Sequence, residues 1–146
     1  MSIFSSINIS SSALTAERTR MDVISKNLAN ANTTRTQSGD PYRRQVVVFK
    51  EAEEKQSFKS ILENKKNKDV DKGVEIVGIV EDKTPFRQVY NPGHPDADEK
   101  GYVTMSNVDT ITEMVDMISA TRSYEANVTA LNTSKSMLLK ALEIGK

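Results

Sequence analysis

Apolar residues recur at Ile3, Ile7, Leu14, Met21, Ile24, Leu28 and Ala31, with Ile7, Leu14, Met21 and Leu28 seven apart. That spacing draws one narrow stripe along a helix from Ile3 to about Ala31. Ser10 and Glu17 interrupt its second seam position, and Ser10-Ser11-Ser12 are poor interior helix formers, so the first turns are expected to fray or stay disordered when unpaired. The pattern stops at Asn30-Ala31-Asn32-Thr33-Thr34, and Ser38-Gly39-Asp40-Pro41 supplies turn chemistry. Strand-like runs follow at Tyr42 to Lys50, Val74 to Val80, Phe86 to Tyr90 and Gly101 to Thr104, read together as a small antiparallel β module. Between the first two lies a charged segment, 51–72, expected as a solvated loop with at most a short helix near Ser57 to Asn64. A second long helix is predicted from Val108 or Thr110 onward. Its seam reads Met114, Met117, Thr121, Tyr124, Val128, Leu131, Lys135, Leu138 and Leu142, in steps of three and four.

These elements predict an α+β chain in three parts: an N-terminal helix in 1–34, the β module in 35–106 and a C-terminal helix in 107–146. At about 1.5 Å per residue, a helix of roughly 35 residues spans about 50 Å, more than a four-stranded module covers. Pairing the two stripes as a coiled-coil-like helical hairpin, with the β module looped out between them, is the simplest way to bury them. Ile111, Val115, Ile118, Leu139 and Ile144 still fall off the main seam. Packing between subunits would cover them.

Composition narrows the function classes. Only 37% of the 146 residues are apolar and 5% aromatic, a thin stock for a private core, and this favours folding aided by partners. Lys plus Arg balances Asp plus Glu at 20 each, so nothing points to nucleic acid or an anionic lipid surface. The absence of cysteine removes disulfides, thiolate nucleophiles and cysteine-based metal sites. The N-terminus lacks a basic start, an unbroken apolar run and a small-residue cleavage site, so any exit from the cytosol would use a specialised exporter.

No catalytic, cofactor or metal constellation is read. His94 has no second His or Cys to work with, and the surrounding Asn91-Pro92-Gly93-His94-Pro95-Asp96 reads as a solvated turn. Glu53-Glu54 and Glu81-Asp82 are adjacent pairs in polar surroundings, where neighbouring side chains point apart. Arg43-Arg44 and Lys65-Lys66-Asn67-Lys68 lack interleaved aromatics and are read as solvated surface. The Asn-X-Ser/Thr sequons at Asn8, Asn32, Asn127 and Asn132 are read as coincidental, since they fall largely on helices whose faces should be packed.

The terminal motifs together carry a resemblance. Asn27-Leu28-Ala29-Asn30-Ala31-Asn32-Thr33 at one end and Tyr124-Glu125-Ala126-Asn127 at the other resemble the signatures of the rod and hook family, the axial proteins of the bacterial flagellum. Pro41-Tyr42-Arg43-Arg44-Gln45, Tyr90-Asn91-Pro92-Gly93 and Gly101 to Val108 are similar to the short proximal-rod member of that family. Thr34-Arg35-Thr36 replaces a Gly-Tyr common in the family, and Ser106 stands where Pro is expected.

The resemblance implies a non-enzymatic structural subunit of the proximal rod, exported by the flagellar type III apparatus. Implied partners are further copies, other proximal and distal rod subunits and the adaptor at the inner-membrane ring, with no cofactor. Expected assembly residues are Ile7, Leu14, Met21, Leu28, Asn30, Asn32, Met114, Met117, Tyr124, Val128, Leu131, Leu138 and Leu142. The alternative is a soluble coiled-coil adaptor or export chaperone, which shares the heptads and needs no rod. A hydrolase built on carboxylates near His94 is the weaker third reading.

Overall fold

The computed structural model describes residues 3–52 and 72–144. Helix α1 spans Ile3–Ala29 and α2 spans Thr110–Ile144. Between them come β1 (Gln45–Glu51), β2 (Val74–Glu81), β3 (Arg87–Tyr90) and β4 (Tyr102–Met105). The expected charged loop, beyond its ends at Glu51, Ala52 and Lys72, and the short helix near Ser57 to Asn64 lie outside the described residues.

The expected α+β hairpin of helices is present. Asn27 meets Glu113, Met21 meets Thr121 and Arg20 meets Asp116, so rising numbers on α2 pair with falling numbers on α1 and the helices run antiparallel. Helix α1, here packed against α2, is continuous through Ser10-Ser11-Ser12; the Ser12 hydroxyl donates to the Ile9 carbonyl 2.8 Å away. The same device serves α2. Thr121, Thr129, Thr133 and Ser136 each donate to the carbonyl four residues back, which satisfies hydroxyls within the helix itself.

The strands form the expected small antiparallel module, divided into two hairpins, β1-β2 and β3-β4. In the first, Val47 pairs with Ile79 and Gly78 with Val48, and the register then slips so that Phe49 pairs with Ile76. Val77 is the unpaired residue of this bulge. The first hairpin lies on α1, with the Val74 amide donating to the Ser12 hydroxyl. The second closes through a turn in which Gly101 has a φ of 81° and Asp98 accepts from the Lys100 and Tyr102 amides. Tyr90 and Tyr102 then meet edge to face across the pair, ring centroids 5.3 Å apart.

Burial departs from the predicted seam of α2. The residues facing inward are Glu113, Ala120 and Ser134, with Met117, Tyr124, Asn127, Leu131 and Leu138 half-buried beside them. Met114, Thr121, Lys135 and Leu142, all placed on the seam by sequence, are exposed. Hydrophobic spacing located the helix and one half of its seam, whereas the polar contacts described next decide the other half.

Candidate functional site

The most enclosed polar cluster lies where both helices and the first hairpin converge. Its centre is Asn27 in the last turn of α1, only 1% exposed. The Asn27 side-chain amide donates to the Gln45 carbonyl at 2.8 Å and to Glu113 Oε2 at 2.9 Å. Its Oδ1 accepts from the Tyr42 hydroxyl at 3.0 Å and the Gln45 amide at 2.9 Å. One side chain thereby ties α1 to the chain entering β1 and to the first turn of α2. A buried amide is tolerated because its donors and acceptor are all matched.

Glu113 is fully buried, and its other oxygen accepts from Arg44 Nε at 2.6 Å. The same guanidinium approaches Asp82 at 3.5 Å and Asp116 at 3.4 Å. Burial lowers the Arg44 pKa, and the hydrogen bonds and charges of Glu113 and Asp82 together overcome this and raise it above the ordinary value. The Tyr42 hydroxyl is also pushed up, first by burial and then by the charges of Glu113 and Glu81. Asp82 is held below the usual carboxylate range, chiefly by the Thr84 amide.

Asn107 completes the junction from the segment leading into α2. Its Oδ1 accepts from the Arg44 amide at 2.7 Å, and its Nδ2 reaches the Thr84 hydroxyl at 2.8 Å and the Asp82 carbonyl at 3.2 Å. Arg43 lies 4.3 Å above the Phe86 ring and donates to the same Asp82 carbonyl. The reading of Arg43-Arg44 as solvated surface is therefore wrong: both guanidinium groups hold elements together. Beside the cluster, a groove of about 260 Å³ is lined by Arg20, Val23, Ile24, Val46, Val47 and Phe49 among others. These groups bond chiefly to one another, so the cluster works as a connector.

The expected assembly residues divide by position. Ile7, Leu14, Met21, Leu28, Asn30, Met117, Tyr124, Val128, Leu131 and Leu138 are half-buried, whereas Asn32, Met114 and Leu142 are exposed. At the helix end, Asn30 donates to the Lys26 carbonyl at 2.9 Å and accepts from the Thr33 hydroxyl, the local bonding that carbonyls freed at a helix terminus invite. The His94 turn is held by its own ring: Nδ1 accepts from the Asp96 amide, and Asp96 accepts from Thr34. Ser106, in the place expected for Pro, accepts from the Val108 amide and so supplies the turn into α2.

Asn27, Arg44, Asn107 and Glu113 were missed as site residues, although Asn27 opens the quoted motif. A signal existed. Asn27 follows Ile24 by three, and Glu113 precedes Met117 by four, so both are polar residues on an apolar face, where burial demands a partner.

Asn27, Asn107 and Glu113 lie in segments that known families match, whereas Arg44 lies between those segments. A family model described as Flagella basal body rod protein matches residues 7–36, and one described as Flagellar basal body rod FlgEFG protein C-terminal matches 99–144. Over its whole length the chain is 52% identical to the flagellar basal-body rod protein FlgC of Bacillus subtilis (strain 168), with all of both chains covered. The chain belongs to the FlgC family of flagellar basal-body rod proteins. The FlgC of Borreliella burgdorferi is 47% identical, with 99% of this chain and 98% of the relative covered, and that of Salmonella typhimurium is 41% identical over all of both. The likeness to FlgC thus extends through the β hairpins as well as the terminal helices. The adaptor reading gains nothing from these relatives.

Proposed function

We propose that the protein is a structural, non-enzymatic subunit of the flagellar rod that joins its neighbours through the outward faces of its terminal helices. One observation carries this reading. Ile111, Met114, Val115 and Ile118 are 72%, 57%, 61% and 55% exposed, and their spacing puts them on one face of α2. Scattered apolar surface residues are ordinary, but a continuous stripe on a helix whose opposite face is packed suits a contact between subunits. Each such side chain contributes about 1.5–3 kcal/mol when fully removed from water. Further down α2, Met137, Leu139 and Leu142 add a second exposed group.

The partners are other rod subunits, proximal and distal, further copies of the chain and the adaptor at the inner-membrane ring. The subunit reaches the periplasmic rod through the flagellar type III exporter and there helps carry torque from motor to hook. Met114 and Leu142 belong to these exposed groups, and the half-buried Ile7, Leu14, Met21, Leu28, Asn30, Met117, Tyr124, Val128, Leu131 and Leu138, with the exposed Asn32, complete the proposed assembly residues. No cofactor, nucleic acid or lipid enters the reading. Among the described residues, no helix is long and apolar enough to cross a membrane.

Ile118→Glu tests the reading, because it changes an exposed position and leaves the junction alone. The variant is expected to melt like the parent yet to disappear from detergent-extracted basal bodies, with motility lost. Normal incorporation of a stably folded Ile118→Glu chain would overturn the proposal.

A further inference from the structure

Helix α2 carries two possible seams that share Met117, Tyr124, Leu131 and Leu138. One adds Glu113, Ala120, Asn127 and Ser134; the other adds Met114, Thr121, Val128, Lys135 and Leu142. The two differ by a turn of the helix about its own axis of about 50°, half the angle between successive residues. The folded hairpin uses the first, with Glu113, Ala120 and Ser134 buried and Met114 and Leu142 exposed. Hydrophobic burial alone favours the second, which would enclose Met114 and Leu142 and cover more of the already half-buried Val128. Lys135 opposes that choice, as one ammonium against three large apolar side chains.

What opposes it more strongly is at the start of the helix. Glu113 accepts from Arg44 at 2.6 Å and from Asn27 at 2.9 Å, and turning α2 toward the second seam would draw this carboxylate away from both. Neither Arg44, whose guanidinium also holds Asp82, nor Asn27 follows it without giving up bonds to other parts of the chain. The Arg44 amide is held by Asn107, and Asn27 is held by both the amide and the carbonyl of Gln45. A buried polar residue at a seam position costs stability and in exchange selects one packing over its neighbours.

We propose that Glu113, clamped by Arg44 and Asn27, is a rotational lock that sets which face of α2 is turned outward. The lock keeps Ile111, Met114, Val115 and Ile118 available to a neighbouring subunit when the chain's own hydrophobic energy would bury part of that stripe. Glu113, Arg44 and Asn27 are thus positioning residues, acting on assembly without touching a partner. The inference rests on the proposed role of that face.

The absence of native cysteine makes the test direct. Ser134→Cys and Thr121→Cys are placed singly in the purified full-length chain, with and without Glu113→Ala, which removes the clamped carboxylate without adding a large apolar side chain to the observed seam, and reaction with a small disulfide reagent is timed. Ser134 is buried and lies on the observed seam; Thr121 is exposed and lies on the rejected one. Rotation predicts opposite changes in the Glu113→Ala background: the thiol of Ser134→Cys reacts about tenfold faster and that of Thr121→Cys slower, as the two positions exchange protection. Loss of structure would accelerate both, and an idle carboxylate would change neither; each of these results overturns the lock. A Ser134→Cys thiol that already reacts at the rate of an unprotected one beside an intact Glu113 overturns it as well. The rates are read on the isolated chain, so failure here is separate from failure of the Ile118→Glu test in basal bodies.

Discussion

Asn27 is bonded to Gln45, Glu113 and Tyr42, so its loss leaves several buried groups short of a partner at once. Asn27→Ala is expected to lower stability by about 1–3 kcal/mol, read as a lower urea midpoint at unchanged slope. The charged pair behaves asymmetrically. Arg44→Met strands the enclosed Glu113 carboxylate and is expected to cost about 3–5 kcal/mol, whereas adding Glu113→Leu should restore much of the loss. A double variant less stable than Arg44→Met alone would contradict the geometry. Tyr42 gives a pH signature: its folded pKa is raised, so the stability it contributes is present below the unfolded value of about 10 and is lost as pH rises through the folded value. Unfolding midpoints measured from pH 9 to 11 should fall for the parent and fall less for Tyr42→Phe.

Among the elements, the two hairpins and α2 depend on local devices that the sequence displays openly. Asp109 caps α2, accepting from the Ile111 amide at 3.0 Å and from the Thr112 hydroxyl, and the Ile111 amide holds its carboxyl below the usual range. A depressed carboxyl contributes stability above its unfolded pKa of about 3.9 and loses it as pH falls through the folded value. Helicity measured below pH 4 should therefore decline less steeply in Asp109→Ala than in the parent. Gly101 is the other device. A Cβ there would lie 2.9 Å from Tyr90 Cε2 and 3.1 Å from Pro92 Cβ, at a φ that side chains rarely adopt. Gly101→Ala should cost about 1–3 kcal/mol and lose the amide exchange protection of β3 and β4 first. Both devices act within a few residues, yet the sequence reading placed Gly101 inside the last strand and gave Asp109 no capping role.

At the scale of the whole molecule, two long helices enclose little apolar core. Ala31, Tyr42 and Val108 form a small buried cluster at the junction, while Phe4, Val77, Ile79 and Leu142 remain exposed. The isolated chain is therefore expected to depend on its polar junction for its shape, and on neighbours to cover its apolar surface. Leu131→Asp, at the half-buried seam, is predicted to block incorporation into basal bodies while leaving the β hairpins folded, which two-dimensional NMR of their amides would show. The helices, their approximate ends, four strands and the antiparallel pairing followed from periods of seven and two, since those repeats report burial by neighbours close in sequence. The division into two hairpins, the inward turn of α2 to Glu113, Ala120 and Ser134, and the roles of Asn27, Arg44 and Asn107 were decided only by tertiary structure. Those contacts join residues 15 to 86 positions apart, and a polar side chain on an apolar face announces that it needs a partner without naming which one.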